Sequence, residues 1–210
     1  MSRKILEKRE RSLGIKLSRK GERAHSPKAA LVRKPYPPGQ HGRSFKRKTS
    51  EFGQQLKEKQ KIKFSYGVTE KQLKRIFSEV VHKSKMQHLP ADEAVLDYLE
   101  RRLDNVVMRL GFTEGRNLAR QLVSHGHFMV NGGRVKTPSF KVKVGDKISV
   151  RPQSREQVHF QTLPERIKKY EPPVWLKIDK ATLEGEVVSA PKDVEAPFNV
   201  SLVVDYYSKK

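Results

Sequence analysis

Apolar residues in this chain gather into a few stretches of clear period separated by long polar ground. Leu73, Ile76, Phe77, Val80 and Val81 recur at steps of three and four, which predicts one apolar stripe along a helix. Thr69 and Gln72 stand where a capping box would open that helix. Just upstream, from Ser50, a polar helix carries Leu56, Lys57, Lys59, Lys61 and Lys63 until Tyr66-Gly67 breaks it. After Pro90, with Asp92 and Glu93 in the first turn, Val95, Leu96, Leu99, Leu103, Val106, Val107 and Leu110 hold helical spacing as far as Gly111. That pattern predicts one continuous helix. Another is expected from about Glu114 to His125, with Leu118, Ala119, Leu122 and Val123 on one side and Arg116, Asn117, Arg120, Gln121 and Ser124 on the other.

Beyond His125 the period shortens. Phe128-Met129-Val130 and Arg134-Val135 flank Asn131-Gly132, a pair that tolerates the positive φ angles of a tight hairpin turn. Residues 141–144 and 148–151 alternate polar and apolar around Gly145-Asp146, which predicts a second strand pair. A short helix is expected near Leu163 to Tyr170, ended by Pro172 and Pro173. Trp175 to Ile178, Glu184 to Val188 and Leu202-Val203-Val204 look like short extended segments. The fold class is therefore α+β, a helical part followed by a small mixed module, with no internal repeat.

Charge then separates regions that periodicity alone does not. The 210 residues carry a formal net charge of +22. Residues 1–48 hold 16 basic and 3 acidic side chains, 49–98 hold 9 and 7, 99–158 hold 12 and 5, and 159–210 hold 8 and 8. So strong a surplus calls for a polyanionic partner, and it points to the first and third segments as the places that meet one. No apolar run approaches the roughly 18 to 20 residues of a spanning helix, and residues 1–11 lack the apolar core of a signal peptide, so the expectation is a cytoplasmic chain that binds no membrane. Without cysteine there are no disulfides or thiolate metal sites. The first segment, with a proline group at 35, 37 and 38 and the turn-rich run 39–42, reads as an extended basic arm with short helical pieces.

Catalytic patterns are missing. The chain has no phosphate loop, no zinc-protease helix and no serine elbow between glycines. His125 and His127 have no nearby carboxylate to complete a metal site, and Asp92-Glu93 and Glu184 with Glu186 are explained by helix-start charge and strand-surface alternation. The expectation is a non-enzyme with no cofactor. The nucleic-acid signals are better: Arg116 and Arg120 sit one helical turn apart opposite an apolar stripe, and Asn131, Gly132 and Arg134 belong to the adjacent hairpin. A helix and a hairpin could straddle phosphates.

The order of short motifs goes further than any of these. Pro37 to Gly42, Leu56 to Lys61, Tyr66-Gly67, Arg102-Leu103-Asp104-Asn105-Val106-Val107, Ala119 to Gly126, Val130-Asn131-Gly132, Trp175-Leu176 and Tyr206-Tyr207-Ser208-Lys209 resemble, in sequence and in order, the bacterial ribosomal protein S4 family over nearly the whole chain. The resemblance implies a helical domain at 49–98 completed by 160–210, an inserted RNA-binding domain at about 99–159, and a basic arm at 1–48. It implies a scaffold of the 30S subunit that binds the 5′ domain junction of 16S rRNA early in assembly. Such a scaffold touches ribosomal protein S5, lies where messenger RNA enters, contributes to translational accuracy and does not act as a homo-oligomer. The RNA contacts carried over are Gln40, His41, Lys57, Lys59, Lys61, Arg116, Arg120, His125 and Asn131, to which the hairpin adds Arg134. Arg43, Lys46, Arg47 and Lys48 are candidates for messenger contact.

One departure stands out. Many members of that family hold zinc in the arm with four cysteines, and the corresponding positions here are Glu7, Glu10, Ala24 and Ala29. The arm is therefore expected to hold no metal and to be ordered by packing and RNA. Two other classes explain less of the sequence. An RNA-modifying enzyme or tRNA synthetase would need a catalytic domain beside the small module, and a general nucleic-acid chaperone would not need the ordered motif set.

Overall fold

The computed structural model describes residues 3–17, 26–27, 29–45, 48–168, 170–192, 194 and 196–208. In chain order the helices are α1 (Arg3–Leu13), α2 (Ala30–Arg33), α3 (Glu51–Tyr66), α4 (Glu70–Gln87), α5 (Ala91–Glu100), α6 (Leu103–Arg109), α7 (Arg116–His125), α8 (Val158–Gln161), α9 (Leu163–Lys168) and α10 (Ser201–Ser208). The strands are β1 (Phe128–Val130), β2 (Gly133–Val135), β3 (Lys147–Val150), β4 (Leu176–Asp179) and β5 (Glu184–Val187). They divide into two compact units, residues 1–95 with 195–210, and residues 96–194.

In the first unit local chemistry sets the helix ends. Ser50 accepts from the Gly53 amide to start α3, and Gly67, at φ 66°, closes it. Thr69 and Gln72 form the full capping box of α4. Ile62, Tyr66, Leu73, Ile76, Phe77 and Val80 are buried, as are Val203 and Tyr206 of α10, which packs on α3 and α4. The segment 202–204, expected to be extended, is thus helical. The Asn199 side chain accepts from the Leu202 amide, and a step of three puts Val203 and Tyr206 on the buried side, so tertiary packing overrides the β preference of two valines. The arm is anchored at two places. Leu13, Ile15 and Leu17 are buried with Phe64 of α3 packed against them, and the Arg11 guanidinium donates to the carbonyls of Lys34, Tyr36 and Pro37. Of the four positions that would align with zinc ligands, Ala24 lies outside the described residues, and Ala29, just ahead of α2, offers no donor atom. This donor set does not fit a metal.

The second unit differs from expectation in three ways. The continuous helix from Pro90 to Gly111 is two helices. Arg102 adopts extended backbone (φ −69°, ψ 136°) and bridges Lys141, while the first amides of α6, on Leu103 and Asp104, donate to the carbonyls of Phe140 and Pro138 at 2.8 and 3.1 Å. A long-range loop has replaced the preceding helical turn as acceptor. Residues 141–144 likewise do not pair with β3, because both edges of β3 are taken: β1 lies on one side and β5 on the other in an antiparallel sheet ordered β2-β1-β3-β5-β4. Finally, residues 160–194 do not join the helical unit. Phe160, Leu163, Ile167, Trp175, Leu176 and Val187 share one core with Leu103, Val106, Val107 and Leu110 of α6, Leu122 and Val123 of α7, and Phe128, Val130, Ile148 and Val150 of the sheet. Only 195–210 returns to the first unit.

Candidate nucleic-acid interface

Helix α7 carries Arg116 and Arg120 opposite a buried apolar side. Ala119, Leu122 and Val123 are buried in the core, and Gly126, at φ 76°, ends the helix with its amide directed to the Leu122 and Val123 carbonyls. A side chain at Gly126 would also meet the Arg134 guanidinium, with Cβ only 2.4 Å from Nε. That closeness reflects a tie between two elements. Arg134, on β2, donates from Nε to Gly126 O at 3.1 Å and from Nη2 to His125 O at 3.0 Å. Its positive charge sits at the negative end of α7 and fixes the hairpin to the helix.

The hairpin turn is equally tied down. Asn131 (φ 50°) and Gly132 (φ 77°) both take the left-handed backbone that a two-residue turn requires. The Asn131 amide donates to Asp146 Oδ1 at 2.8 Å and its oxygen accepts from the Lys147 amide at 2.9 Å. Asn131 remains exposed while pinning the loop between β3 and the preceding segment. His125 is exposed at the end of α7, 5.9 Å ring to ring from His127. Burial, followed by the nearby His125, Arg134, His159 and Arg151, lowers the pKa of His127, so its imidazole stays neutral to lower pH than an ordinary histidine.

Arg116 and Arg120 do lie on one side of α7, but they differ in access: their side chains are 12% and 41% exposed. Both stand over buried acids. Glu100, at 0% exposure, accepts Arg109 Nε and Nη2 at 3.0 Å each, accepts the Asn105 amide at 2.8 Å, and lies 3.8 Å from Arg116 Nη2. Asn105 Oδ1 accepts Arg116 Nε at 2.7 Å. Asp104 accepts Arg102 at 3.1 and 2.8 Å and lies 3.9 Å from Arg120 Nη1. The periodicity places Glu100, Asp104 and Asn105 inside an apolar run without giving them a task. Their burial is the signal, and a linear reading does not reveal it.

In the first unit the three lysines of α3 separate. Lys57 is exposed. Lys61 donates to Glu58 at 2.6 Å. Lys59 is buried: it donates to Glu70 at 2.7 Å and to the Tyr206 hydroxyl at 3.3 Å, with its ammonium 4.5 Å from the Tyr206 ring. Lys59 therefore holds α3, α4 and α10 together, and its contacts are internal. In the arm, Gln40 and His41 are exposed in the turn 39–44. Tyr36 lies between two guanidiniums, Arg11 at 4.9 Å and Arg43 at 4.7 Å, and its hydroxyl accepts from Arg43, which lowers the phenol pKa. Lys48 is exposed, while Lys46 and Arg47 lie outside the described residues.

Two family models match the chain, one after the other. Residues 4–100 fit the ribosomal protein S4/S9 N-terminal domain and residues 101–148 the S4 domain, the two matches meeting where α5 stops and Arg102 turns the chain. A helical domain followed by an S4 domain defines a ribosomal protein of the S4 class. The small ribosomal subunit protein uS4 of Caldicellulosiruptor bescii is 48% identical over 198 residues, covering 93% of each chain. That of Roseiflexus castenholzii is 46% identical over 206 residues, covering 95% of this chain and 94% of its own. The chain belongs to the uS4 family of small ribosomal subunit proteins, which are structural proteins rather than enzymes.

Proposed function

We propose that the protein is a non-catalytic scaffold of the small ribosomal subunit in the cytoplasm, binding the 5′ domain junction of 16S rRNA through the basic arm and the α7–hairpin surface. The observation that carries this reading is the Arg134 clamp, two charge-assisted bonds to the carbonyls of His125, the last residue of α7, and of Gly126, its cap. It makes helix and hairpin one rigid basic surface, and a preformed surface recognises a folded RNA at lower entropic cost than flexible basic residues do. Gln40, His41, Lys57, Lys61, Arg116, Arg120, His125, Asn131 and Arg134 are the contacts assigned to that role. Lys59 contributes from inside the fold.

The test is binding of the full chain to 5′ domain RNA across a salt series. If about ten phosphates are neutralised, log affinity falls against log salt with a slope near −9. A slope near zero, or equal affinity for random duplex DNA, would remove the assignment. The same proposal includes contact with ribosomal protein S5 and with entering messenger RNA, supported by family membership and by the exposed Arg43 and Lys48. Removing those two charges together with Lys46 and Arg47 should weaken the unwinding of structured messages; unchanged unwinding rejects this part.

A further inference from the structure

Two buried acids, Glu100 and Asp104, lie beneath the basic surface of α7. Glu100 and Asp104 fall outside the apolar stripe of the helical run predicted from sequence, yet both side chains are almost wholly out of water. The desolvation of a buried ion pair offsets most of its attraction, so stability alone does not account for two such acids in one short stretch. What a buried pair does supply is geometry. Each acid takes one arginine in a two-bond fork, Arg109 on Glu100 and Arg102 on Asp104, which fixes the carboxylate. Each fixed carboxylate then faces one arginine of α7: Glu100 faces Arg116, aided by Asn105, and Asp104 faces Arg120.

A free arginine side chain loses rotamer entropy on being held in one place. If its position is already set, that loss falls on folding and not on RNA binding. Resting on the RNA reading above, we propose that Glu100 and Asp104 are positioning residues of the RNA interface, holding the guanidiniums of Arg116 and Arg120 one helical turn apart before RNA arrives. The proposal makes a prediction opposite in sign to simple electrostatics. A carboxylate near a phosphate site is repulsive, so if charge alone mattered, Glu100→Gln and Asp104→Asn would tighten RNA binding. Positioning requires that they weaken it.

The experiment is a pair of double-mutant cycles on the full chain, read as affinity for 5′ domain rRNA at fixed salt. Asp104→Asn is combined with Arg120→Ala, and Glu100→Gln with Arg116→Ala. The expected result is a loss of roughly three- to tenfold for each acid variant alone, and no further loss where its arginine is already absent. Tighter or unchanged binding overturns the proposal, as does an equal loss in both backgrounds, which would mean a merely structural effect. Should an acid variant fail to fold, side-chain nitrogen relaxation on the unaltered free protein decides. Order parameters of Arg116 and Arg120 Nε near about 0.85 support positioning, and values below about 0.6 overturn it. If the unaltered chain binds this RNA no better than random duplex DNA, the RNA reading has failed, and the relaxation data still judge whether the arginines are held.

Discussion

The Lys59 ammonium donates to the Glu70 carboxylate at 2.7 Å, joining α3 to the first turn of α4. Lys57, two residues earlier on the same helix, is exposed. Replacing Lys59 with Ala should therefore lower the stability of the first unit by about 2 kcal/mol, the range for a lost hydrogen bond to a charged group. Lys57→Ala should stay within about 0.5 kcal/mol of the parent and make the salt slope of RNA binding shallower by about one. Thermal melts and a salt series check both. A stable Lys59→Ala protein with a shallower slope would return that lysine to the RNA surface.

Glu70 gives the pH dependence. Burial pushes its carboxyl upward, but the hydrogen bonds and charges of Lys59 and Lys63 outweigh that and bring the pKa from 4.5 to about 2. A carboxyl more acidic in the folded state contributes stability that is fully present above pH 4.5 and is lost as pH falls toward about 2. Because Glu70 is half exposed, solvent screening limits the contribution to about 1 kcal/mol or less. Glu70→Gln should flatten the acid limb of the stability curve between about pH 5 and 2, as measured by urea melts at stepped pH.

Gly185 on β5 lies against Leu110 of α6, and a Cβ there would be 2.4 Å from the nearest leucine methyl. Gly185→Ala should cost about 1–3 kcal/mol by overpacking. Loss of that size in a denaturant melt would show that β5 and α6 share one core in solution.

A fragment ending at residue 159 would lack Phe160, Leu163, Ile167, Trp175, Leu176 and Val187, all part of the second core. It should show no cooperative thermal transition, whereas a fragment of residues 91–194 should unfold cooperatively. A cooperative melt of the shorter piece would restore the boundary expected from sequence.

Much of the fold was legible because it is locally encoded. The Thr69–Gln72 box, the Asn131-Gly132 turn and the stripe of α7 each depend on residues within one or two turns of one another. The mistaken expectations share a different property. The stop at Glu100 depends on carbonyls of Pro138 and Phe140, the failure of 141–144 to pair with β3 on β5 already occupying that edge, and the helix at 201–208 on the surface of α3 and α4. Each is settled by a partner far along the chain.

The candidate interface divides in the same way. Net charge, the spacing of Arg116 and Arg120, and the order of motifs were determined by sequence alone, because charge and helical period are additive along a chain. Which basic residues face outward was decided only by tertiary structure. Lys57 and Lys59 are identical side chains on one helix, and Arg116 and Arg120 share one face, yet the half-exposed Glu70 draws Lys59 inward and two buried acids stand under the arginines. The physical reason is that a long cation settles where the nearest carboxylate and the local exclusion of water put it, and both of those are set by segments brought together from elsewhere in the sequence.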